Sequence, residues 1–380
     1  MQLSVIILNY NVRYFLEQCV LSVEKALAGI DGEIIVIDNN SPDDSCAMMK
    51  AKFPHIKLIE NKENSGFPKG NNIGVAKAKG EYLCILNPDT IVAEDTFTKI
   101  FGKVCQTPPL GAGGLGILGC KLIDGSGAFL PESKRGVPTP WVAFTKIFGL
   151  YKLFPNSNWF NQYYAQHLSK NESGKVSILV GAFMVLKLDL YLQVGGFDEN
   201  CFMYSDDIDL SYLVLKAGKS NYYFHETSVI HYKGESTIRD GTYMKRFREA
   251  MQFFYKKHFK KSWFFDVMMQ VGSFVFSLLK KSQQKQEIRI ISEYVVFSKR
   301  NFEINLDQKT TYLADFNQFV NNPKENIEII FDTTTISFCE IITFMQSNAN
   351  KNLSFKNYIA SSNYLIGSNN SNDRGQIKLL

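Results

Sequence analysis

The chain has 380 residues, of which 45% are hydrophobic and 13% aromatic, so the composition excludes a disordered protein and leaves room for two domains. Its seven cysteines form no C-x-x-C pair, which argues against a disulfide framework or a cysteine zinc site and favours a reducing compartment. The net charge of +5 is uneven: ten basic and two acidic residues give +8 between Thr242 and Lys285, which leaves about −3 elsewhere. Basicity confined to one segment argues against nucleic acid as a partner.

The N-terminal part of the chain predicts strands that alternate with helices. Apolar strands are expected at 3–8, 33–37, 57–59 and 81–86. The first run lacks the basic start and the length of a signal peptide, so it is interpreted as a buried strand. Ser41 is predicted to be the N-cap of a helix whose first residue is Pro42. This order is typical of an α/β fold with a mostly parallel central sheet and helices on both faces.

Polar residues follow three of these strands. The clusters are Asn9-Tyr10-Asn11, Asp38-Asn39-Asn40 and Asn87-Pro88-Asp89. Parallel sheets bind ligands beyond the carboxyl ends of their strands, so three polar clusters at one edge predict a binding crevice. A structural turn is the alternative for any one of them.

A glycine-rich stretch at 111–116 matches the dinucleotide pattern G-x-G-x-x-G. That motif must follow a strand and begin a helix. Here it follows Thr107-Pro-Pro and precedes an apolar run at 117–123 that looks like a strand. The stretch is therefore interpreted as a flexible loop.

Three carboxylates, Asp206, Asp207 and Asp209, lie within the four residues that follow Ser205. Ser205 is predicted to be the N-cap of a helix that ends before Gly218. Acidic side chains in a first helical turn are stabilised in their charged form. A solvated acidic helix start would explain them, and so would a general base, which requires an ionised carboxylate held on a rigid element.

Several stretches occur in a fixed order along the chain, and the ordered set is more specific than any single one. They are VIILNYN (5–11), IIVIDNNSPD (34–43), NSGFPKGNN (64–72), YLCILNPDT (82–90), LVGAFMVLK (179–187), GGFDENCFMYSDDIDL (195–210) and HYKGEST (231–237). Together they resemble the inverting nucleotide-sugar glycosyltransferases of family 2, most closely the branch that includes bacterial rhamnosyltransferases of surface-polysaccharide assembly. The resemblance covers roughly residues 3–240 and implies the GT-A fold.

The resemblance implies a binding site for a nucleotide-diphospho-sugar donor. Asp38 matches the position that hydrogen-bonds the pyrimidine, and Tyr10 matches the one that packs on the base. In the loop between Asn64 and Asn72, two glycines, Gly66 among them, permit close approach of a ligand, and Lys69 is positioned in sequence to meet a phosphate. An ordinary loop lysine is the alternative for Lys69.

The resemblance also implies a divalent cation, Mg²⁺ or Mn²⁺, at the diphosphate. Asn87-Pro88-Asp89 stands where the family commonly has Asp-x-Asp, so one carboxylate rather than two is available and the strength of metal dependence stays open. His231 matches a histidine that coordinates the metal in some members. Structural packing is the alternative for this histidine.

Within the acidic triplet, the resemblance assigns the general base to Asp207. Asp206 and Asp209 are expected to orient the loop or to contact the acceptor. The implied reaction is one displacement at the anomeric carbon with inversion and no covalent intermediate.

Three segments are predicted: a catalytic domain at 1–241, a basic amphipathic helical segment at 242–285, and a small α/β appendage of unassigned role at 286–380. The basic segment surrounds an apolar core, Trp263–Leu279, and is typical of a helix that lies in an anionic leaflet. Packing on the catalytic domain is the alternative. We therefore expect a cytoplasmic protein at the inner face of the cytoplasmic membrane, with a saccharide or polyprenyl-linked saccharide as acceptor and no nucleic acid partner.

Two functions remain after the sequence is considered. The first is an inverting glycosyltransferase that uses a UDP- or dTDP-sugar. The second is a catalytically silent scaffold that binds sugar nucleotides within an assembly complex. A nucleotidyltransferase is disfavoured because residues 8–12 lack a glycine-rich basic loop.

Overall fold

The computed structural model describes residues 1–106, 114–233, 241–259, 289–321, 326–369 and 375–380, and these form two β-sheets with helices around them. The strands of the first sheet are β1 Leu3–Asn9, β2 Gly32–Asp38, β3 Lys57–Glu60, β4 Tyr82–Leu86, β5 Thr90–Ile91, β6 Leu115–Ile123, β7 Gly174–Val176, β8 Phe183–Lys187 and β9 Ser220–His231. Those of the second are β10 Glu293–Phe297, β11 Lys309–Leu313, β12 Ile327–Asp332, β13 Leu353–Ile359, β14 Tyr364–Gly367 and β15 Gln376–Leu379. The helices are α1 Arg13–Ala26, α2 Ser45–Lys52, α3 Gly66–Val75, α4 Thr96–Gln106, α5 Pro140–Ile147, α6 Leu150–Leu153, α7 Leu188–Gln193, α8 Asp206–Lys216, α9 Gly241–His258 and α10 Phe338–Ser347.

The first sheet has the strand order β3-β2-β1-β4-β8-β6-β9-β5, with β7 paired to β9. Strands β1 to β4 are parallel to one another, whereas β8 is antiparallel to β4. All seven residues of β1 are buried because helices cover both faces: Val5 packs in the cluster that includes α1, and Ile6 in the cluster that includes Val75 of α3. The predicted α/β class, with parallel strands at its centre, is confirmed.

The helix predicted to begin at Ser41 begins at Ser45 instead, so this boundary was wrong. Asp38 Oδ2 accepts a hydrogen bond from the backbone N–H of Ser41 at 2.8 Å, and the hydroxyl of Ser41 accepts the N–H of Asn11. These bonds hold the chain in a turn. Asp44 is the N-cap residue of the helix, and Asp43 Oδ1 accepts the N–H of its first residue, Ser45, at 3.1 Å.

The second sheet has the order β11-β10-β12-β13-β14-β15 and is parallel from β11 to β13. The apolar runs at 293–297 and 327–331 form β10 and β12, and the segment that follows Ser337 forms α10. The sheet packs against the first one through a shared apolar cluster that includes Phe15 and Tyr232 from one side and Phe297 and Phe331 from the other. Polar contacts cross the same interface: Tyr364 Oη donates to the carbonyl of Tyr14 at 3.1 Å.

Helix α9 packs through Met251, Phe254 and Tyr255. These side chains form one apolar cluster with Ile178 and with Ile208 of α8. The apolar core predicted at 263–279 lies outside the described residues, as do residues 111–113 of the glycine-rich stretch; the strand predicted after that stretch is confirmed as β6. Among the helices that the structure describes, none combines the length and the apolar character needed to cross a membrane.

Candidate active site

The three polar strand ends lie side by side at one edge of the first sheet. Asn9 at the end of β1 pairs in register with Asp38 at the end of β2, and β4, which ends just before Asn87, flanks β1 on the other side. The amide of Asn9 donates to Asp38 Oδ1 at 2.8 Å. The side chain of Tyr10 is half-buried at this edge.

Asp38 is 3% exposed, and both of its carboxylate oxygens accept local hydrogen bonds, one from Asn9 and one from the N–H of Ser41. This arrangement fixes the carboxylate at the crevice edge. It also is the turn geometry that the sequence offered as an alternative explanation.

The loop that begins α3 is held by contacts within the protein. Asn64 Oδ1 accepts from the amide of Asn39 at 2.9 Å, and a Cβ at Gly66, whose φ is +82°, would meet the carbonyl oxygen of Phe202 at 2.7 Å. The neighbour that approaches Gly66 is therefore another segment of the chain. Lys69 is half-exposed, with Nζ 3.7 Å from Glu63.

Asn72 lies one helical turn further along α3 and is fully engaged. Its Oδ1 accepts the hydroxyl of Tyr191 at 2.5 Å, and its Nδ2 donates to the carbonyl of Phe197 at 2.9 Å. Asn72 therefore connects α3 to the chain that leads into the acidic triplet.

Asp89 and His231 meet where β5 pairs with the end of β9. His231 Nε2 lies 3.4 Å from Asp89 Oδ1 and 3.4 Å from Asn87 Nδ2, and Asp89 and His231 are 4% and 7% exposed. Within the described residues, Asn87 Oδ1 and His231 Nδ1 are buried without a hydrogen-bond partner. Buried polar atoms without partners are costly, so this cluster is suited to a ligand that supplies them.

The acidic triplet is not a solvated helix start. Asp206 and Asp207 are each 8% exposed and Asp209 is 1% exposed, although all three lie in the first turn of α8. Ser205 is the N-cap residue, but its side chain makes no capping hydrogen bond and lies 3.1 Å from Cys201 Sγ instead.

Asp207 forms an ion pair with Arg135. The guanidinium Nη2 contacts Asp207 Oδ2, which also accepts the backbone N–H of Gly181 at 3.1 Å. Burial acts against the charged guanidinium, but the neighbouring carboxylate of Asp207 outweighs it and raises the pKa of Arg135. The ion pair and the N–H of Gly181 therefore hold the carboxylate of Asp207 in one orientation.

Asp206 has a different environment from its neighbour. Burial, followed by repulsion from the carboxylate of Asp207, raises the pKa of Asp206 from 3.8 to about 7. Two adjacent acids whose environments separate their protonation states in this way are typical of catalytic sites.

Asp209 connects α8 to α9. Its Oδ2 accepts from Lys257 Nζ at 2.8 Å and its Oδ1 lies 2.5 Å from His258 Nε2. At 1% exposure it is enclosed by these partners, and its expected role, to orient the loop or to contact an acceptor, stays a prediction. It supports the position of α9.

Residues 181–182 join the two halves of the site. The carbonyl of Ala182 accepts the backbone N–H of Asn87 at 3.1 Å, while the N–H of Gly181 donates to Asp207. A Cβ at Gly181 would lie 3.3 Å from that of Asp207 and 3.6 Å from Asp206 Oδ2. Residues 181–182 thus contact both the cluster of Asn87, Asp89 and His231 and the acidic triplet.

Sequence reasoning missed Arg135, Gly181 and His258. Arg135 stands in an irregular stretch and is 72 residues from its partner. The one sequence signal for it was a basic pair, Lys134-Arg135, far from any acidic residue except Glu132.

Comparison with known proteins gives this site a context. Residues 4–118 match the family model described as glycosyl transferase family 2. The N-acetylglucosaminyl-diphospho-decaprenol L-rhamnosyltransferase of Mycobacterium tuberculosis is 25% identical over 241 residues, which are 60% of this chain and 74% of that protein. The minor teichoic acid biosynthesis protein GgaB of Bacillus subtilis is 22% identical over 93% of this chain, and the match spans 35% of its own length.

Among solved structures, the mannosyltransferase PcManGT of Pyrobaculum calidifontis, in complex with GDP-Man and Mn²⁺, gives a TM-score of 0.46 at 17% identity over 72% of this chain and 69% of that one. Staphylococcus aureus TarS 1–349 gives 0.42 at 14% identity, with 76% of each chain covered. The family model and the sequence relatives agree with each other. Residues 4–118 of this chain are thus similar in sequence to the family 2 glycosyltransferases.

Proposed function

We propose that the chain is an inverting glycosyltransferase that moves a sugar from a UDP- or dTDP-sugar to a hydroxyl of a lipid-linked saccharide in cell-surface polysaccharide biosynthesis. The observation that carries the proposal is the buried anion of Asp207, fixed by Gly181 beside the segment that binds Asn87. The names of two relatives, one a rhamnosyltransferase of a decaprenol-linked sugar and the other a teichoic acid biosynthesis protein, support this class of acceptor and product.

Asp207 acts as the general base. Its carboxylate takes the proton of the acceptor hydroxyl while the hydroxyl oxygen bonds to the anomeric carbon. The bond from that carbon to the diphosphate breaks, and its electron pair leaves with the nucleoside diphosphate. Arg135 and the N–H of Gly181 hold the carboxylate oriented for this step.

Asp89 and His231 are proposed to hold Mg²⁺ or Mn²⁺. Two ligands of one such ion lie about 3.0–3.4 Å apart when each is about 2.1 Å from it, and Asp89 Oδ1 and His231 Nε2 are 3.4 Å apart. Asn87 Oδ1 has no partner among the described residues and is a further oxygen donor. When bound, the ion neutralises the diphosphate and stabilises its departure.

The nucleotide is proposed to lie at the ends of β1 and β2. Tyr10 would stack on the base, and Asp38 would accept its hydrogen bond through lone pairs that Asn9 and Ser41 leave free. The loop that contains Asn64, Gly66, Lys69 and Asn72 would close the other side of this crevice.

The acceptor is proposed to be presented at the inner face of the cytoplasmic membrane. The segment 242–285 carries ten basic residues against two acidic ones, a charge that attracts anionic headgroups. Association with the membrane would place the crevice beside a polyprenyl-linked saccharide.

The test is nucleotide release from a panel of UDP- and dTDP-sugars with a lipid-linked acceptor. We expect Asp207→Asn to lower turnover at least about 100-fold while donor affinity is retained, because the amide keeps the shape but cannot take the proton. The control is Asp198→Asn, a nearby acid bound to Lys257, which should keep its turnover. Wild-type turnover in Asp207→Asn would contradict the assigned base, and a wild-type protein that binds donors but releases no nucleotide would favour the silent scaffold.

A further inference from the structure

An aromatic surface is exposed outside the active site, on α5, α6 and the turn that follows. Its large apolar side chains are 42% to 74% exposed, and they define what we call the aromatic patch: Trp141, Phe148, Leu153, Phe154 and Trp159. None of these residues belongs to the proposed donor, metal or base positions. Their exposure therefore has no explanation in the transfer reaction.

The patch is one surface, because ring contacts connect its members. Trp141 packs on Phe144 and Phe160 with ring centroids 5.5 and 5.7 Å apart, and these two contact Phe148 and Phe154 at 4.7 and 5.1 Å. Trp141 Nε1 also donates to the carbonyl of Trp159 at 2.8 Å. A contiguous apolar surface of this kind marks an interaction site, whereas scattered exposed side chains do not.

The charge around the patch has one sign. From Ser133 to Asn171 the chain contains five Lys or Arg residues and no Asp or Glu, and although Lys134 is buried and Arg135 largely so, Lys152 and Lys170 are exposed. Lys152 is exposed beside the patch, with Nζ 5.8 Å from the ring centroid of Tyr151, and Lys146 Nζ lies 3.5 Å from that of Tyr163. Aromatic side chains with an apolar body, mixed with lysines, suit the headgroup region of an anionic leaflet.

The patch is continuous with the start of the basic segment. Phe144 of α5 packs in the cluster formed by Met251, Phe254 and Tyr255 of α9. Helix α9 ends in Lys256, Lys257 and His258, and the sequence from there to Lys285 adds five lysines and one acidic residue, Asp266. The patch therefore lies beside α9, and a membrane that binds the end of this helix would be close to it.

We propose that the aromatic patch is a membrane-docking surface whose side chains insert among the headgroups of an anionic bilayer. An anionic lipid surface fits better than a protein partner. A protein surface usually carries both positive and negative charges, whereas residues 133–171 carry no acidic side chain that could pair with the positive ones. The proposal rests on exposure, contact and charge, so it stands or fails independently of the transfer reaction.

The first experiment measures binding of the full chain to phosphatidylcholine vesicles with and without phosphatidylglycerol. We expect Leu153→Ser/Phe154→Ser/Trp159→Ser to lower the partition coefficient on anionic vesicles about tenfold or more. The matched control is Ile290→Ser/Val320→Ser. It removes two apolar side chains that are 78% and 85% exposed in the C-terminal unit, residues 289–380, and it should bind vesicles as the wild type does. Equal losses in both variants, or none in the patch variant, would overturn the proposal.

The second experiment follows a single tryptophan and does not depend on polar substitutions in the patch. The chain has three tryptophans, so Trp141→Phe/Trp263→Phe leaves Trp159, which is 74% exposed, as the reporter. On anionic vesicles its emission should shift to the blue and be quenched by lipids brominated near the headgroup. A Trp159 that stays unquenched while the protein is vesicle-bound overturns the proposal and leaves the patch to a protein partner.

Discussion

Asp207 and Arg135 show how one contact defines the chemistry of a carboxylate. The buried guanidinium contacts Asp207 Oδ2 and, together with the N–H of Gly181, fixes the direction in which that carboxylate points. The pair therefore sets the geometry of the proposed general base.

Substitution of Arg135 should test that role. In Arg135→Gln, we expect turnover to fall about tenfold or more while donor affinity is retained, because the carboxylate of Asp207 loses the buried partner that orients it. Arg135→Lys keeps the charge and should restore part of the turnover. Wild-type turnover in Arg135→Gln would contradict this role.

Asp206 should make the stability of the protein depend on pH. Its pKa rises from 3.8 to about 7 through burial and the charge of Asp207, so between these values the folded chain binds a proton that the unfolded chain has lost. The contribution of Asp206 to the free energy of unfolding is therefore complete below pH 4 and is lost as the pH rises to about 7. We expect Asp206→Asn to be more stable relative to wild type at pH 7.5 than at pH 5.

Urea denaturation of both proteins at the two pH values measures this difference. Asp43→Asn is a suitable control, because that acid is at the crevice edge but distant in sequence from the triplet. A stability difference between wild type and Asp206→Asn that is independent of pH would show that Asp206 is ionised throughout.

At the scale of elements, α8 distributes its three acids to different partners. Asp207 is about 100° from Asp206 and about 160° from Asp209 around a helix, so Asp207 and Asp209 point to opposite sides. Asp207 accordingly meets Arg135, and Asp209 meets α9. The three acids are adjacent in sequence, but the helix directs Asp207 and Asp209 to different partners.

Loss of Asp209 should loosen α9. In Asp209→Ala, Lys257 and His258 lose a buried partner, and we expect a loss of roughly 3 kcal/mol in the free energy of unfolding. Hydrogen–deuterium exchange in residues 241–259 should rise more than in α1. Asp198→Asn, which removes the other partner of Lys257, should have a smaller effect; equal protection of α9 in both variants would contradict this connection.

The sequence predicts local features of the fold and the site better than distant ones. The strands β1 to β4 follow from apolar runs, and the position of Asp207 at a helix start follows from the residues around it. The predicted start of α2 was too early. The N–H of Ser41 donates to Asp38, which holds Ser41 in a turn, and local helix propensity does not reveal this hydrogen bond. Arg135 could not be found because its contact depends on the way that distant segments pack.

At the scale of the whole molecule, the C-terminal unit is part of the support of the site. The backbone N–H of Tyr232, next to His231, donates to the carbonyl of Asp89, and the ring of Tyr232 packs in the cluster shared with the second sheet. A residue that is proposed to bind metal is thus one position away from the interface between the two sheets.

Glu94 offers a way to test that interface. Its carboxylate accepts the backbone N–H groups of Phe338 and Cys339, at 2.8 and 2.9 Å, at the start of α10. We expect Glu94→Ala to lower the free energy of unfolding by about 2 kcal/mol, because two helix-terminal donors lose a charged acceptor. Glu94→Gln, which keeps one acceptor oxygen, should lie between the two; identical denaturation midpoints for all three proteins would refute the contribution.

The contact between Tyr14 and Tyr364 spans 350 residues, and that between Lys25 and Thr333 spans 308. A ribosome that adds about 5–20 residues per second needs roughly 20–70 s to cover the longer interval. During that time the apolar cluster that contains Phe15 lacks the part that the second sheet contributes. The nascent chain must therefore wait, with apolar surface uncovered, for its last strands to appear, which makes its yield in the cell sensitive to chaperone supply and to the speed of translation.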